Sequence, residues 1–168
     1  MTNGFEVTAV CSVKCSHQLR VPVHEKEVII LPSVGVFAVV KNKDNEVLCV
    51  KLNYGSGNWT LPGGHLDKNE SPIEGVEREI LEETGYIAEV ENLVGVYSAP
   101  EKDDLVLLFR AGIKSEGRFI PNEEIKEIAF FSRENLPLQM HPWNRKRILD
   151  SFSNTVSFVH TFNEAESI

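Results

Sequence analysis

Residues 64–86 read GHLDKNESPIEGVEREILEETGY, with six glutamates and one aspartate against a single arginine and a single lysine. At about 100° per residue, Glu79, Glu82 and Glu83 fall at about 0°, 300° and 40° on a helical wheel, so three carboxylates share one face. Ile73, Val76 and Ile80 fall between about 60° and 120° and would anchor the helix on a core, which sets the acids at the edge of the buried stripe. Two carboxylates about 4 Å apart repel by about 1 kcal/mol in water and about 4 kcal/mol at an effective dielectric of 20. Arg78 stands four residues from both Glu74 and Glu82, but one arginine does not neutralise six glutamates. A divalent cation would. Oxygen donors in this number suit a hard ion such as Mg²⁺ or Mn²⁺, which bridges readily to substrate phosphate. From charge alone, the ordinary alternative is a solvated acidic helix face.

The elements that must position these acids are legible nearby. Ser71 is placed as an N-cap, Pro72 at the first helical position, and Glu74 three residues on to complete a capping box. Gly85 is placed to end the helix in a left-handed cap, and Gly75 inside it calls for close packing or backbone approach. Upstream, VGVFAVVKNKDNEVLCVKL reads as two β-branched strands joined by a turn, followed by the loop NYGSGN and by WTLPGG, whose Pro-Gly pair should break regular structure. Downstream, AEVENLVGVYSAP, DLVLLFRAGI and IAFFS read as strands, HPWNRKRILDSF as a second helix and TVSFVHTF as a last strand. The first thirty residues alternate in FEVTAVCSV and QLRVPV, which predicts an additional pair of strands. The expected fold is α/β (α+β): a mixed β-sheet sandwiched between helices, one domain over residues 1–168 with residues 1–30 as an N-terminal strand extension.

The spacing overturns the solvated-face reading. Gly64 is followed after five residues by Glu70, and after seven more by Arg78-Glu79-Ile80, Leu81, Glu82-Glu83, Thr84, Gly85 and Tyr86. This stretch resembles the signature of the Nudix hydrolase family, with Tyr86 aromatic where an aliphatic residue is usual, and WTLPGG is similar to the family's approach to the motif. The resemblance implies hydrolysis of a pyrophosphate bond in a nucleoside diphosphate linked to another moiety, with Mg²⁺ or Mn²⁺ and an attacking water. It implies metal-ligand roles for Glu82 and Glu83, and a ligand or general-base role for Glu79. It gives a further ligand in the backbone carbonyl of Gly63 or Gly64, and structural roles to Glu70, Arg78 and Gly85. Members often recruit one more acid from outside the motif. Glu101, Glu123, Glu124 and Glu127 are the candidates, with Glu124 and Glu127 favoured because their loop precedes an apolar strand. Trp59 joins Glu101, Glu124 and Glu127 as an expected substrate-binding residue.

The motif handles metal and pyrophosphate and leaves the substrate open among ADP-ribose and other nucleotide sugars, damaged nucleoside triphosphates, dinucleoside polyphosphates and capped RNA. The rival is a non-catalytic Nudix-fold module that binds nucleotide to sense or regulate, although this chain keeps every acid. An isomerase branch of the family ranks last, because its extra cysteine and glutamate chemistry has no counterpart here. Seventeen basic against 25 acidic residues, a formal charge of −8, argue against nucleic acid as a partner and leave a small nucleotide as substrate. The longest apolar stretch, residues 28–40, is broken by Pro32, Ser33 and Gly35 and is too short to span a bilayer. No secretory signal opens the chain, and three cysteines suit a reducing compartment, so the cytoplasm is the expected location. Homodimerisation would follow if the N-terminal strands paired across a symmetry axis.

Cys11, Cys15, His17 and His24 match no familiar zinc spacing and read as strand residues. Tyr97, His141 and Trp143 could shape a pocket but read as core or rim, and Arg145, Lys146 and Arg147 read as a solvated basic face.

Overall fold

The computed structural model describes residues 33–102, 104–153 and 157–162. The N-terminal pair of strands, with Cys11, Cys15, His17 and His24, lies outside the described residues. Residues 31–168 make one compact unit.

Strands β1 (Ser33–Lys41) and β2 (Val47–Leu52) form the expected hairpin. The Asn42 side-chain oxygen accepts the amides of Asp44 and Glu46 at 3.0 and 2.9 Å, and Asn45 takes the positive φ (61°) that asparagine tolerates. Past the pair Lys41↔Val47 the two strands take different neighbours. β1 runs parallel to β6 (Asp104–Ser115) from Ser33↔Asp104 to Lys41↔Gly112, whereas β2 pairs antiparallel with β7 (Ile125–Phe131). β5 (Ile87–Ala99) is antiparallel to β6, and β8 (Phe158–Thr161) is parallel to β5.

The segment WTLPGG is more regular than its sequence predicts. It contains β3 (Trp59–Thr60), paired with β2, and β4 (Gly63–His65), paired antiparallel with β1. Pro62 lacks only a donor; its carbonyl accepts from the Ala38 amide at 2.9 Å, so the strand additions flank it without loss. Gly63, at φ 143°, lies so close to Val36 and Phe37 that any Cβ would overlap the Val36 carbonyl.

The sheet follows the order β3-β2-β1-β6-β5-β8, with β4 added to β1 and β7 to β2. Alternation along β1 then divides the core. Val36, Ala38 and Val40 join Leu48 and Phe109 beneath helix α1 (Pro72–Thr84), which contributes Val76 and Ile80. Phe37 and Val39 face the other way, toward Tyr97, Val106 and Leu108, where helix α2 (Pro142–Asp150) supplies Trp143 and Ile148. A strand covered on both faces must be apolar at every position, which is why β1 reads as an unbroken hydrophobic run. Ile73 departs from the wheel: it has the right angle but is half exposed. A wheel fixes direction around the axis and says nothing of where along it the covering sheet ends.

Both helix caps form as the sequence predicts. Ser71 accepts from the Glu74 amide while Glu74 reaches back to the Ser71 amide, and Gly85 (φ 75°) donates to the Leu81 carbonyl at 2.8 Å. Gly75 is buried, and a Cβ there would stand 2.5 Å from Leu66 Cδ2 and 2.9 Å from a Glu70 carboxylate oxygen. In an open helix, Gly→Ala gains about 1 kcal/mol. Here Gly75→Ala is expected to destabilise by about 1–3 kcal/mol through overpacking, measured by urea unfolding.

Candidate functional site

The acids of α1 are organised around Arg78. Its Nε and Nη2 donate to the two oxygens of Glu70 at 2.7 and 3.0 Å, a forked pair that ties the preceding loop to the helix. The loop is held further by the Asp67 amide, which donates to Glu70 at 2.9 Å. Nη1 of Arg78 donates to Glu79 at 2.9 Å and to Glu82 at 3.2 Å, so one guanidinium is shared by three carboxylates. The guanidinium beside it holds Glu70 down, at about 2. Glu74, four residues before Arg78, bonds to Ser71 instead, and Glu77 accepts from the Val90 amide of β5.

Glu83 takes no share of Arg78. It is 7% exposed, and its Oε2 accepts the Gly63 amide at 2.8 Å. Burial pushes its carboxyl up to about 8; the Gly63 hydrogen bond opposes this, and the charges of Glu79, Glu124 and Glu82 add to it. Glu79 is also raised, first by burial and against the pull of Arg78. Its carboxylate lies against Gly64, where a Cβ would stand 2.6 Å from Oε1. A strand without side chains at Gly63 and Gly64 therefore lets the carboxylates of Glu79 and Glu83 reach the β4 backbone.

Among the described residues, no three acidic, histidine or cysteine side chains converge on one point as a preformed metal cage. Glu79 and Glu82 turn to Arg78, and Glu83 turns to Gly63. The chemistry of the donors nevertheless suits a hard divalent ion: three carboxylates on adjacent turns, one of them buried with no cationic partner among the described residues, beside an approachable backbone. Glu82, Glu83, Glu79 and the Gly64 carbonyl are the groups that could hold it.

Among the described acids outside the motif, Glu124 is the one whose charge acts on both Glu79 and Glu83. Asn122 sets it there: its side-chain oxygen accepts the amides of Glu124 and Ile125, while the Glu124 carbonyl accepts from Asn53. Glu127 lies on β7 and pairs with Lys51 at 3.6 Å. Glu101 is exposed in the 3-10 turn Pro100–Lys102. Trp59 is 7% exposed and packs edge-on against Phe131 at 4.9 Å, so it serves the core. Tyr86 packs edge-on against Phe130, which accounts for an aromatic at that motif position.

Across the sheet, a cavity of ≈ 260 Å³ is lined by Phe37, His65, Lys102, His141, Trp143 and Arg147, among others. Arg147 corrects the reading of residues 145–147 as a solvated face. It is 6% exposed, and burial lowers its guanidinium to about 10. The signal was present in the spacing: Trp143, Arg147, Ile148 and Ser151 follow one buried helical stripe, so Arg147 stands where a hydrophobe would.

A NUDIX domain model matches residues 31–152. The chain belongs to the NUDIX family. It is an enzyme of the class that hydrolyses phosphorus-containing anhydrides. It is 39% identical over 120 residues to a protein of Bacillus subtilis named as a putative 8-oxo-dGTP diphosphatase, covering 71% of this chain and 79% of that one. It is 38% identical over 112 residues to an ADP-ribose pyrophosphatase of Methanocaldococcus jannaschii, covering 63% and 65% of the two chains. The crystal structure of a NUDIX hydrolase from Nitrosomonas europaea superposes with a TM-score of 0.70 at 27% identity, over 80% of this chain and 81% of that one. NUDIX proteins generally use divalent cations.

The raised Glu83 carboxyl gives a pH signature. The folded protein holds the Glu83 proton to about 8, whereas the unfolded chain releases it near the ordinary glutamate value, so the folded state binds more protons between these limits. Its stabilising contribution is complete below the unfolded value and is lost as pH rises through about 8. In EDTA, Glu83→Gln is expected to melt about 10 °C or more above the parent near pH 9, where the shift is worth up to about 5 kcal/mol, and close to it near pH 5. Thermal melts followed by circular dichroism across this range provide the check.

Proposed function

We propose that this Nudix enzyme is a cytoplasmic pyrophosphohydrolase that cleaves a nucleoside diphosphate linked to another moiety, in a reaction dependent on Mg²⁺ or Mn²⁺. The observation that carries this reading is the buried Glu83, which has no cationic side chain as a partner among the described residues and stands beside Glu79, Glu82 and Glu124. Leaving such a group charged is unfavourable unless a cation joins it.

Glu82, Glu83 and the Gly64 carbonyl would hold the ion, which when bound offsets charge on the pyrophosphate oxygens and lowers the pKa of a nearby water. Glu79, partly buried and raised, would take a proton from the attacking water or join the ligands of the ion. As the new P–O bond forms, the bridging P–O bond breaks and its electron pair leaves with the departing phosphate. Glu70 and Arg78 orient this apparatus without touching substrate, and Gly85 ends the helix behind it. Glu124, in the turn before β7, would be the acid recruited from outside the motif, a reading supported by the action of its charge on Glu79 and Glu83.

The names of the two relatives support a nucleotide substrate and divide between a damaged triphosphate and ADP-ribose. Assays of nucleoside monophosphate and phosphate release, with and without metal, test the reading. Glu82→Gln and Glu83→Gln are each expected to lower kcat about 100-fold, with the melting profile showing a folded protein. No metal-dependent turnover of any nucleotide, or an unchanged rate in Glu82→Gln, sinks it.

The same assay separates Glu124 from Glu127. Glu124→Gln is expected to lower kcat/KM about 10-fold, while Glu127→Gln, which loses a surface pair with Lys51, stays within about twofold.

A further inference from the structure

Residues 116–124 connect β6 to β7 and, except for the half-buried Phe119, are exposed. Near its start this loop is docked by the approach of two backbones. A Cβ on Gly117 would overlap the Gly85 carbonyl, and a Cβ on Gly85 would stand 2.8 Å from the Arg118 carbonyl oxygen and 3.3 Å from the Phe119 amide nitrogen. Neither glycine can gain a side chain unless one chain segment moves away from the other. At Gly85 the positive φ of 75° already calls for glycine. Gly117 does not have a positive φ, so the contact alone requires glycine there.

Near its other end the loop is fixed to the connection between β2 and β3. Asn53 donates its amide to the Glu124 carbonyl at 2.7 Å and its Nδ2 to the Asn122 carbonyl at 3.0 Å, and the Asn122 side chain closes the turn that carries Glu124. These bonds hold Glu124 relative to β2. The acids that feel its charge are on α1, and Gly117, at the start of the same loop, touches the residue that ends that helix. Glu124, Glu79 and Glu83 carry like charge, and an exposed carboxylate moves away from others unless its backbone is held.

We infer that Gly117 is a positioning residue for the hydrolytic site: its backbone contact with Gly85 holds the β6–β7 loop against the end of α1 and, through the loop, keeps the Glu124 carboxylate beside Glu79 and Glu83. A Cβ at position 117 displaces the loop or the helix end, and a shift of about 1 Å in an active-site group can cost about 100-fold in rate. Gly85 thereby has a second task, since the residue that caps α1 is also the surface on which the loop rests. The inference rests on the reading of the protein as a metal-dependent hydrolase that recruits Glu124, and it concerns only what places that acid.

Mn²⁺ binding to the full chain, followed by calorimetry without nucleotide, gives a readout separate from turnover. Glu124→Gln is expected to weaken Mn²⁺ binding about 10-fold, because a negative charge beside the acids of α1 is lost. Gly117→Ala is expected to weaken it about threefold or more and to lower kcat about 10-fold, with KM within about twofold. In the Gly117→Ala background, adding Glu124→Gln should then change Mn²⁺ affinity by less than about twofold, since Glu124 is already displaced. A second variant leaves the Gly85 contact intact: two glycines inserted between the exposed Ile120 and Pro121 lengthen the loop after Gly117 and should likewise abolish the effect of Glu124→Gln. Losses that multiply in the double variant overturn the inference, as does parental Mn²⁺ affinity in Glu124→Gln, in Gly117→Ala or in the lengthened loop. If circular dichroism shows that Gly117→Ala does not fold, the lengthened loop decides. The two readings fail separately. Coupled losses of Mn²⁺ binding in a protein that hydrolyses no nucleotide remove the enzymatic reading alone, whereas independent losses in a metal-dependent hydrolase remove the role of Gly117 alone.

Discussion

One guanidinium among too many carboxylates organises this protein. Arg78 is shared by Glu70, Glu79 and Glu82, and it gives its best geometry to Glu70, where two donors meet two acceptors. A fork used on Glu70 leaves a single nitrogen for Glu79 and Glu82 together and nothing for Glu83. The helix is therefore stapled to its loop at one end of the guanidinium and left with uncompensated negative charge at the other. Both consequences follow from the same residue, so structural and chemical roles within the motif cannot be separated by position alone.

The like charge is tolerated because other interactions hold the helix. Val76 and Ile80 are fully buried, the capping box and the Gly85 cap satisfy end groups, and Gly75 lets Leu66 and Glu70 close onto the helix surface. Burying a branched aliphatic side chain contributes about 1.5–3 kcal/mol, enough to outweigh carboxylate repulsion of about 1 kcal/mol where solvent still screens it. The margin narrows at Glu83, where screening is least. The glycines at 63 and 64 matter in the same way: they remove the side chains that would otherwise hold these carboxylates away from β4.

Much of this was legible in the sequence, and the boundary of legibility has a physical cause. The hairpin of β1 and β2, the caps of α1 and the crowding of Glu79, Glu82 and Glu83 depend on residues within a few positions of one another, and sequence spacing reports such interactions directly. What escaped depends on distant partners. β4 becomes a strand because β1 offers it a ladder, Ile73 is exposed because the covering sheet ends, and Glu124 is separated from Glu127 by the Asn122 turn and by Lys51 on another strand. Trp59 was legible as an aromatic next to a motif, but only packing against Phe131 tells core from pocket. Arg147 is the exception, since its place on the stripe of Trp143 and Ile148 was visible and was outweighed by the basic neighbours at 145 and 146.

The division of the core explains why the motif leaves the substrate undetermined. Alternate residues of β1 face α1 and α2, so the acids and the cavity beside α2 belong to opposite sides of one strand and are specified by different sequence segments. The narrow seam is β4, where Gly64 meets Glu79 and the next residue, His65, lines the cavity. A molecule with a pyrophosphate at the acids and its remainder at the cavity would cross this seam. The charge pattern permits that crossing: carboxylates that need a cation lie on one side, and Arg147 and Lys102 on the other. Chemistry at the phosphorus can then stay constant while substitutions on α2 and in the turn at residues 100–102 alter what is attached to it.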